Sequence, residues 1–177
     1  LASLLSHSDW VNDYYTMLEA ENKPYQLSVA NELGFQVPDT LITSSPERAR
    51  AFWMHCGQQM IIKPLAVSPF PKSVIFTNKV TSSVMEEIDR IKTSPVILQR
   101  LVPAKFELRI TVVGGDVFAA VVESDSPVDW RRGLVKVKPF SLPNDVRNRC
   151  LNLLKRLGLR YGCIDMIVDE MGGFNFL

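Results

Sequence analysis

Phe106-Glu107-Leu108-Arg109-Ile110-Thr111-Val112-Val113-Gly114-Gly115-Asp116-Val117-Phe118-Ala119-Ala120-Val121-Val122-Glu123 is the stretch that decides the fold. Its first half alternates. Phe106, Leu108, Ile110 and Val112 share one face, and Glu107, Arg109 and Thr111 share the other. This is the period of a half-buried strand. Gly114-Gly115 supplies a hairpin turn, and the apolar run from Val117 returns. A hairpin makes an antiparallel pair, so the sheet is not that of an alternating βαβ protein.

Helical patterns flank the hairpin on both sides. Upstream, Asn22 is an N-cap for a stripe of Leu27, Ala30 and Leu33 that stops at Gly34. Ser45 caps a second helix with Pro46 in its first turn and Ala49, Phe52, Trp53 and Cys56 inward, leaving His55 off the stripe as a surface or packing residue. A third carries Val84, Met85, Ile88 and Ile91 on one face, with Ser83-x-x-Glu86 as a capping box. Strands are expected over Leu41–Thr43, Met60–Pro64, Val74–Thr77 and Val96–Gln99, and irregular loops over 68–73 and 124–134. A last helix runs from Pro143 to Leu157, with Val146, Cys150, Leu153, Leu154 and Leu157 inward and Gly158 as its stop. Trp10, Tyr14, Met17 and Leu18 mark a short amphipathic helix that docks on another surface. The class is α+β in two lobes with a boundary near Gln99-Arg100-Leu101-Val102.

Bulk properties exclude several functions. The chain has 177 residues, 46% of them hydrophobic, enough for one domain with a real core or two small lobes. A net charge of +1 gives no global field for nucleic acid or a membrane surface. No run approaches the roughly 18–20 apolar residues of a membrane span. The three cysteines, Cys56, Cys150 and Cys163, sit at apolar positions without metal-type spacing. Buried free thiols in a reducing, cytoplasmic compartment are expected.

Cys163-Ile164-Asp165-Met166-Ile167-Val168 reads as a buried strand interrupted by a carboxylate. Such a carboxylate is costly to desolvate unless it is paired, hydrogen-bonded or bound to a cation. Lys63 near a strand end, the Glu107/Arg109 pair and Arg131 in a loop are the other polar features in such settings. Each alone has an ordinary structural reading: a salt bridge, a cross-strand ion pair, loop surface. Together they suit a polyphosphate, which needs distributed positive charge, and Mg²⁺, which takes carboxylate oxygen and phosphates. No Walker loop, G-x-S-x-G, H-E-x-x-H or paired C-x-x-C supports a competing chemistry.

Asn22-Lys23-Pro24-Tyr25-Gln26-Leu27, the stretch Glu32–Thr40, Ile61-Ile62-Lys63-Pro64, Leu98-Gln99-Arg100, Glu107-Leu108-Arg109, Asp129-Trp130-Arg131 and Leu159–Asp165 resemble the ATP-grasp ligases in order and spacing. The nearer resemblance is to the branch of ribosomal-protein glutamate ligases and microviridin-type peptide maturases, over nearly all of residues 22–177. It implies an ATP-grasp fold with residues 1–21 as an N-terminal helix or linker, 22–98 as the first lobe and 99–177 as an incomplete second lobe. It also implies roles. Lys23 and Lys63 bind phosphate, Gln99, Arg100, Leu101 and Val102 form the hinge that reads adenine, and Glu107 holds the ribose. Arg109 and Arg131 face the γ-phosphate and the acyl phosphate, and Asp165 is a Mg²⁺ ligand. The family's glycine-rich loop after the second lysine is replaced here by Ser68-Pro69-Phe70-Pro71-Lys72-Ser73, which leaves two readings: Lys72 compensates with charge, or the loop serves peptide binding instead.

The expected activity is an ATP- and Mg²⁺-dependent carboxylate–amine or carboxylate–hydroxyl ligase working on a peptide or protein through an acyl phosphate. Alternatives are a glutamate ligase acting on a protein tail and a non-catalytic nucleotide- or peptide-binding module. The chain is further expected to be a truncated core that is inactive by itself, in which an unfinished sheet edge at Leu177 permits a homodimer.

Overall fold

The central hairpin forms as its alternation dictates. Strands β5 (Ala104–Val113) and β6 (Asp116–Ser124) pair antiparallel. Gly114 makes the turn at a φ of 58°, a conformation that side chains with a Cβ rarely adopt. A computed structural model of the chain describes residues 10–65, 77–124, 133 and 135–177. The expectations for Leu1–Leu5, the loop 68–73 with Lys72, the strand residues 74–76 and Asp129-Trp130-Arg131-Arg132 lie outside the described residues.

The chain divides into two compact units. One comprises Leu1–Val37, Ala104–Glu123 and Val137–Leu177. Its five-stranded sheet runs β7-β6-β5-β8-β9, with β7 at Val135–Phe140, β8 at Tyr161–Asp169 and β9 at Phe174–Phe176. Helices α2 (Lys23–Glu32) and α5 (Asn144–Arg156) contribute to the core of this unit. Leu27, Ala30, Leu108, Ile110, Cys150 and Met166 belong to that core. Residues 22–37 therefore group with the larger sheet and not with the other lobe, because the apolar stripe of α2 packs into the core that α5 also fills. The inward residues expected for α5 are all buried.

Helix α1 (Tyr14–Ala20) is capped by Asp13, whose carboxylate accepts from the Tyr15 and Thr16 N–H groups. Asn12 ties its approach to β8: the amide donates to the Tyr161 carbonyl and accepts from the Arg160 and Tyr161 N–H groups. Trp10, Tyr14 and Leu18 stay exposed, and Ala20 is the residue α1 buries.

The other unit comprises Pro38–Pro103 and Ser124–Lys136. Its antiparallel sheet runs β1-β4-β2-β3, with β1 at Thr40–Thr43, β2 at Met60–Pro64, β3 at Asn78–Lys79 and β4 at Val96–Arg100. Helix α3 (Pro46–His55) is capped by Ser45. The expected third helix is shorter than its stripe. Helix α4 covers Ser82–Glu86 and a 3₁₀ turn covers Ile88–Thr93. An i, i+3 spacing keeps Ile88 and Ile91 on one side of that turn, so both are buried without a continuous α-helix. The cap is Thr81 and not Ser83: its hydroxyl accepts from the Val84 N–H at 3.4 Å. Strand β7 was not anticipated. Its Val-Lys-Val-Lys-Pro pattern is exposed at the sheet edge, where burial imposes no apolar face.

Leu98 and Ile110 are both 0% exposed, one in each core. Leu98→Ala and Ile110→Ala are each expected to lower unfolding free energy by about 2–5 kcal/mol in urea titrations. Asp39 accepts from Arg100 Nε at 3.0 Å and Nη2 at 2.8 Å, and this pairing holds its carboxyl below the ordinary range. A depressed folded pKa stabilises above the unfolded value, and that contribution is lost as pH falls through the folded one. The stability gap between wild type and Asp39→Asn should therefore be full above about pH 5 and close as the pH drops below about 4, measured by urea unfolding across pH.

Candidate functional site

The site grows from the pleat of β5. Its core-facing residues leave Glu107, Arg109 and Thr111 on the opposite face. Cross-strand register adds Val122, Ala120 and Phe118 from β6, and Ile167, Asp165 and Cys163 from β8. This open face is a short grid in which Arg109 stands directly opposite Asp165.

Arg109 Nη1 donates to both Asp165 carboxylate oxygens, at 2.7 and 2.9 Å. The two side chains are 38% and 39% exposed. The expected buried carboxylate is thus corrected. Met166 and Ile164 fill the core face of β8, and Asp165 lies on the other, half-exposed face with its charge partnered. Burial alone would lower the pKa of Arg109, but the hydrogen bonds and charge of Asp165 outweigh it and raise the value.

Cys163 is exposed, a second correction for the same reason, whereas Cys56 and Cys150 are buried. Burial pushes the Cys150 thiol up to about 12. At Cys163 partial burial pushes the same way, but hydrogen bonding from Tyr161 and Thr111 and the nearby Arg109 charge overcome it, and the thiol lies below its ordinary value. The Tyr161 hydroxyl, 3.6 Å from Cys163 Sγ, is raised by that hydrogen bond and by the thiolate charge.

Lys23 of the same unit lies in the first turn of α2, where Asn22 is the cap as expected. Its Nζ donates to Gln26 Oε1 at 3.0 Å and to the Leu177 carbonyl at 3.1 Å. Lys23, Gln26, Asp165 and Phe176 line one cavity of about 160 Å³, floored by leucines of α5. The neighbouring turn is tightly held. Asp169 accepts from the Met171 and Gly173 N–H groups and from Asn175 Nδ2, and a Cβ at Gly173 would collide with Gln36 and Asp169.

In the other unit, Lys63 Nζ donates to Gln99 Oε1 at 2.9 Å, and Gln99 Nε2 donates to Thr40 Oγ1 at 3.0 Å. Thr40 in turn donates to the Pro38 carbonyl at 2.7 Å. Gln99 is 1% exposed, so its amide is a fixed support for the lysine. The backbone N–H of Arg100 donates to the Asp39 carbonyl and that of Leu101 to the Gln59 carbonyl. Val102 follows β4 and precedes Pro103. Sequence reasoning assigned Gln99 to the adenine-reading hinge, not to the support of Lys63, and gave Gln26, Thr40, Tyr161 and Cys163 no role in the site. No signal within one segment reveals the Lys63 support, because it arises from the pairing of Thr40 and Ile61 with Gln99 across strands.

The candidates therefore fall into two sets, Lys23, Glu107, Arg109 and Asp165 in one unit and Lys63, Gln99, Arg100, Leu101 and Val102 in the other. Arg131 lies outside the described residues. Among the described residues no group of three or more His, Cys, Asp and Glu side chains converges on a metal position. Asp165 is the carboxylate of this set that could hold a divalent cation.

Residues 27–176 match the model of the prokaryotic glutathione synthetase ATP-grasp domain. Among solved structures, the chain is similar to the macrocyclase MdnC of Microcystis aeruginosa MRC bound with precursor peptide MdnA. Identity there is 30%, TM-score 0.83, and coverage 94% of this chain and 54% of that one. It is also similar to a Chryseobacterium gregarium RiPP-associated ATP-grasp ligase in complex with ADP and a leader and core peptide. That match has 31% identity, a TM-score of 0.85 and coverage of 94% and 54%. VanG D-Ala:D-Ser ligase of Enterococcus faecalis, at 18% identity and a TM-score of 0.66, shares the fold. The chain spans about half the length of the ligases it resembles. Its two antiparallel units and its family match over 27–176 have one reading: this chain belongs to the ATP-grasp family.

Proposed function

We propose that this chain is the nucleotide-binding core of an ATP- and Mg²⁺-dependent ligase that activates a peptide or protein carboxylate as an acyl phosphate. The observation that carries the reading is the Arg109–Asp165 pair on an open sheet face, in a chain whose relatives are structures with ADP or precursor peptides. A guanidinium paired with a half-exposed carboxylate is suited to exchange partners when a phosphate group arrives.

Lys23 and Lys63 neutralise the phosphates, and Gln26 and Gln99 hold their ammonium groups in place. Of the hinge, Arg100 and Leu101 already commit their N–H groups within the protein, so the adenine edge is met by Val102 N–H and by carbonyls. Glu107 accepts from the ribose hydroxyls. Asp165 holds Mg²⁺, whose chemistry when bound is to offset negative charge on the phosphate oxygens.

A substrate carboxylate oxygen attacks the γ-phosphorus and the bond to the ADP oxygen breaks, giving ADP and an acyl phosphate. Arg109 and Arg131 stabilise the charge on the transferring group. An amine or hydroxyl then attacks the acyl carbon, loses its proton, and inorganic phosphate leaves with the C–O electron pair. The product is an amide or an ester. A peptide substrate is preferred to a free amino acid because one relative's structure holds a precursor peptide and another's a leader and core peptide. We place the activity in the cytoplasm on the basis of the unpaired cysteines.

Calorimetric titration with ADP and ATP, with and without Mg²⁺, tests the reading directly. Saturable binding is expected, and Lys63→Ala should weaken it at least tenfold. Gln99→Leu, which removes the lysine's support and keeps its charge, should give a smaller loss in the same direction. In the full-length protein Lys63→Ala and Asp165→Ala should each cut ligation by roughly 100-fold or more, read as ADP release coupled to product. Near-wild-type turnover in either would remove that residue from the chemistry.

A further inference from the structure

The grid on the open face continues past the charged row, and its next row differs in character. Thr111 stands opposite Phe118 on β6 and opposite Cys163 on β8. Tyr161 lies one step further along β8. Phe118 is 62% exposed and Tyr161 is 43% exposed. Two aromatic rings thus border a polar strip on a surface two residues from an arginine. The Thr111 and Tyr161 hydroxyls each sit 3.6 Å from Cys163 Sγ, a weak sulfur contact that leaves a hydroxyl with capacity for a further hydrogen bond.

We propose that this shelf of Thr111, Phe118, Tyr161 and Cys163 seats the acyl-donor segment of the substrate, a peptide in which an apolar side chain neighbours the activated carboxylate. The inference rests on the ligase reading above, and its direction comes from strand geometry. Glu107, Arg109 and Thr111 follow one another on one face at roughly 6.8 Å per step. With ribose at Glu107 and the γ-phosphate at Arg109, the nucleotide runs along β5 toward Thr111. Phosphoryl transfer places the attacking oxygen in line with and opposite the leaving oxygen. The attacking carboxylate then lies on the Thr111 side of Arg109, and the rest of its molecule extends over the next row.

The composition of that row selects the occupant. The guanidinium one row back complements the carboxylate. Phe118 offers a flat apolar surface, and Ala120, the next residue on this face, is small. The shelf covers two rows, the spacing at which same-side residues of an extended peptide recur.

The test uses the full-length protein with ATP and Mg²⁺, and capped hexapeptides carrying one Glu beside Leu, Phe or Ser, with free glutamate as a further probe. ADP formation and hydroxylamine trapping report acyl-phosphate formation. Wild type should show a KM about tenfold lower for the Leu and Phe peptides than for the Ser peptide, the discrimination typical of one apolar contact. Phe118→Ala should erase that preference and Phe118→Leu should keep most of it, with ADP affinity by calorimetry equal in all three. Retention of the preference by Phe118→Ala with ADP still bound overturns the shelf alone, as does wild-type use of free glutamate on a par with the peptides. Failure of the wild type to bind ADP overturns the ligase reading and the shelf with it.

Discussion

The register between β5 and β8 is the constraint on which the site depends. Nine residue pairs join these strands, from Ala104↔Asp169 to Val113↔Tyr161, with an irregularity between Ala104 and Phe106. A slip of one residue would exchange the faces of β8. Ile164, Met166 and Val168 would leave the core, and Asp165 would enter it opposite Leu108 or Ile110. The cost of exposing three core side chains and burying a charge fixes the register far more firmly than the ion pair does. Packing on one face of the sheet therefore sets the chemistry on the other.

The ion pair itself adds little to stability. At 38% and 39% exposure its charges are screened, and such pairs contribute about 0–1 kcal/mol. A weak pair holding two groups in one orientation is a poor structural device and a serviceable site, since its members can be separated at small cost. That argument also explains why the fold alone does not identify the reaction. The same ATP-grasp architecture appears in VanG at 18% identity, and a shared fold does not fix the reaction.

Much of this was legible in the sequence because alternation and capping are local. The β5–β6 hairpin, the Asn22 and Ser45 caps and the inward stripe of α5 follow from spacing within each segment. The misreadings share a cause. Cys163 and Ile167 are apolar residues on the open face of β8, so the run 163–168 looks uniformly buried although only alternate residues are. Nothing local marks which face of a strand meets the helices. The placement of α2 with the larger sheet is likewise a property of packing between segments over 100 residues apart. The Lys63–Gln99–Thr40 chain joins three strands and becomes visible only when β4 is known to lie between β1 and β2.

The two lysines are positioned by different means to a common end. Lys23 is set by a helix start, where Asn22 fixes the first turn and Gln26 lies one turn along at hydrogen-bond distance. Lys63 is set by a sheet, where the buried amide of Gln99 is itself anchored by Thr40. An amide oxygen orients an ammonium group, and under the proposed function a polyanion meets that group already placed. Ordering a long side chain costs about 1.5–2 kcal/mol of rotamer entropy. Meeting part of that cost during folding lessens what the ligand must supply on binding. A cation in the first turn of α2 opposes the helix dipole, a local penalty of a few tenths of a kcal/mol. Position alone reads Lys23 as a solvated lysine, and the conflict points to an anionic partner only beside the family resemblance of Asn22–Leu27.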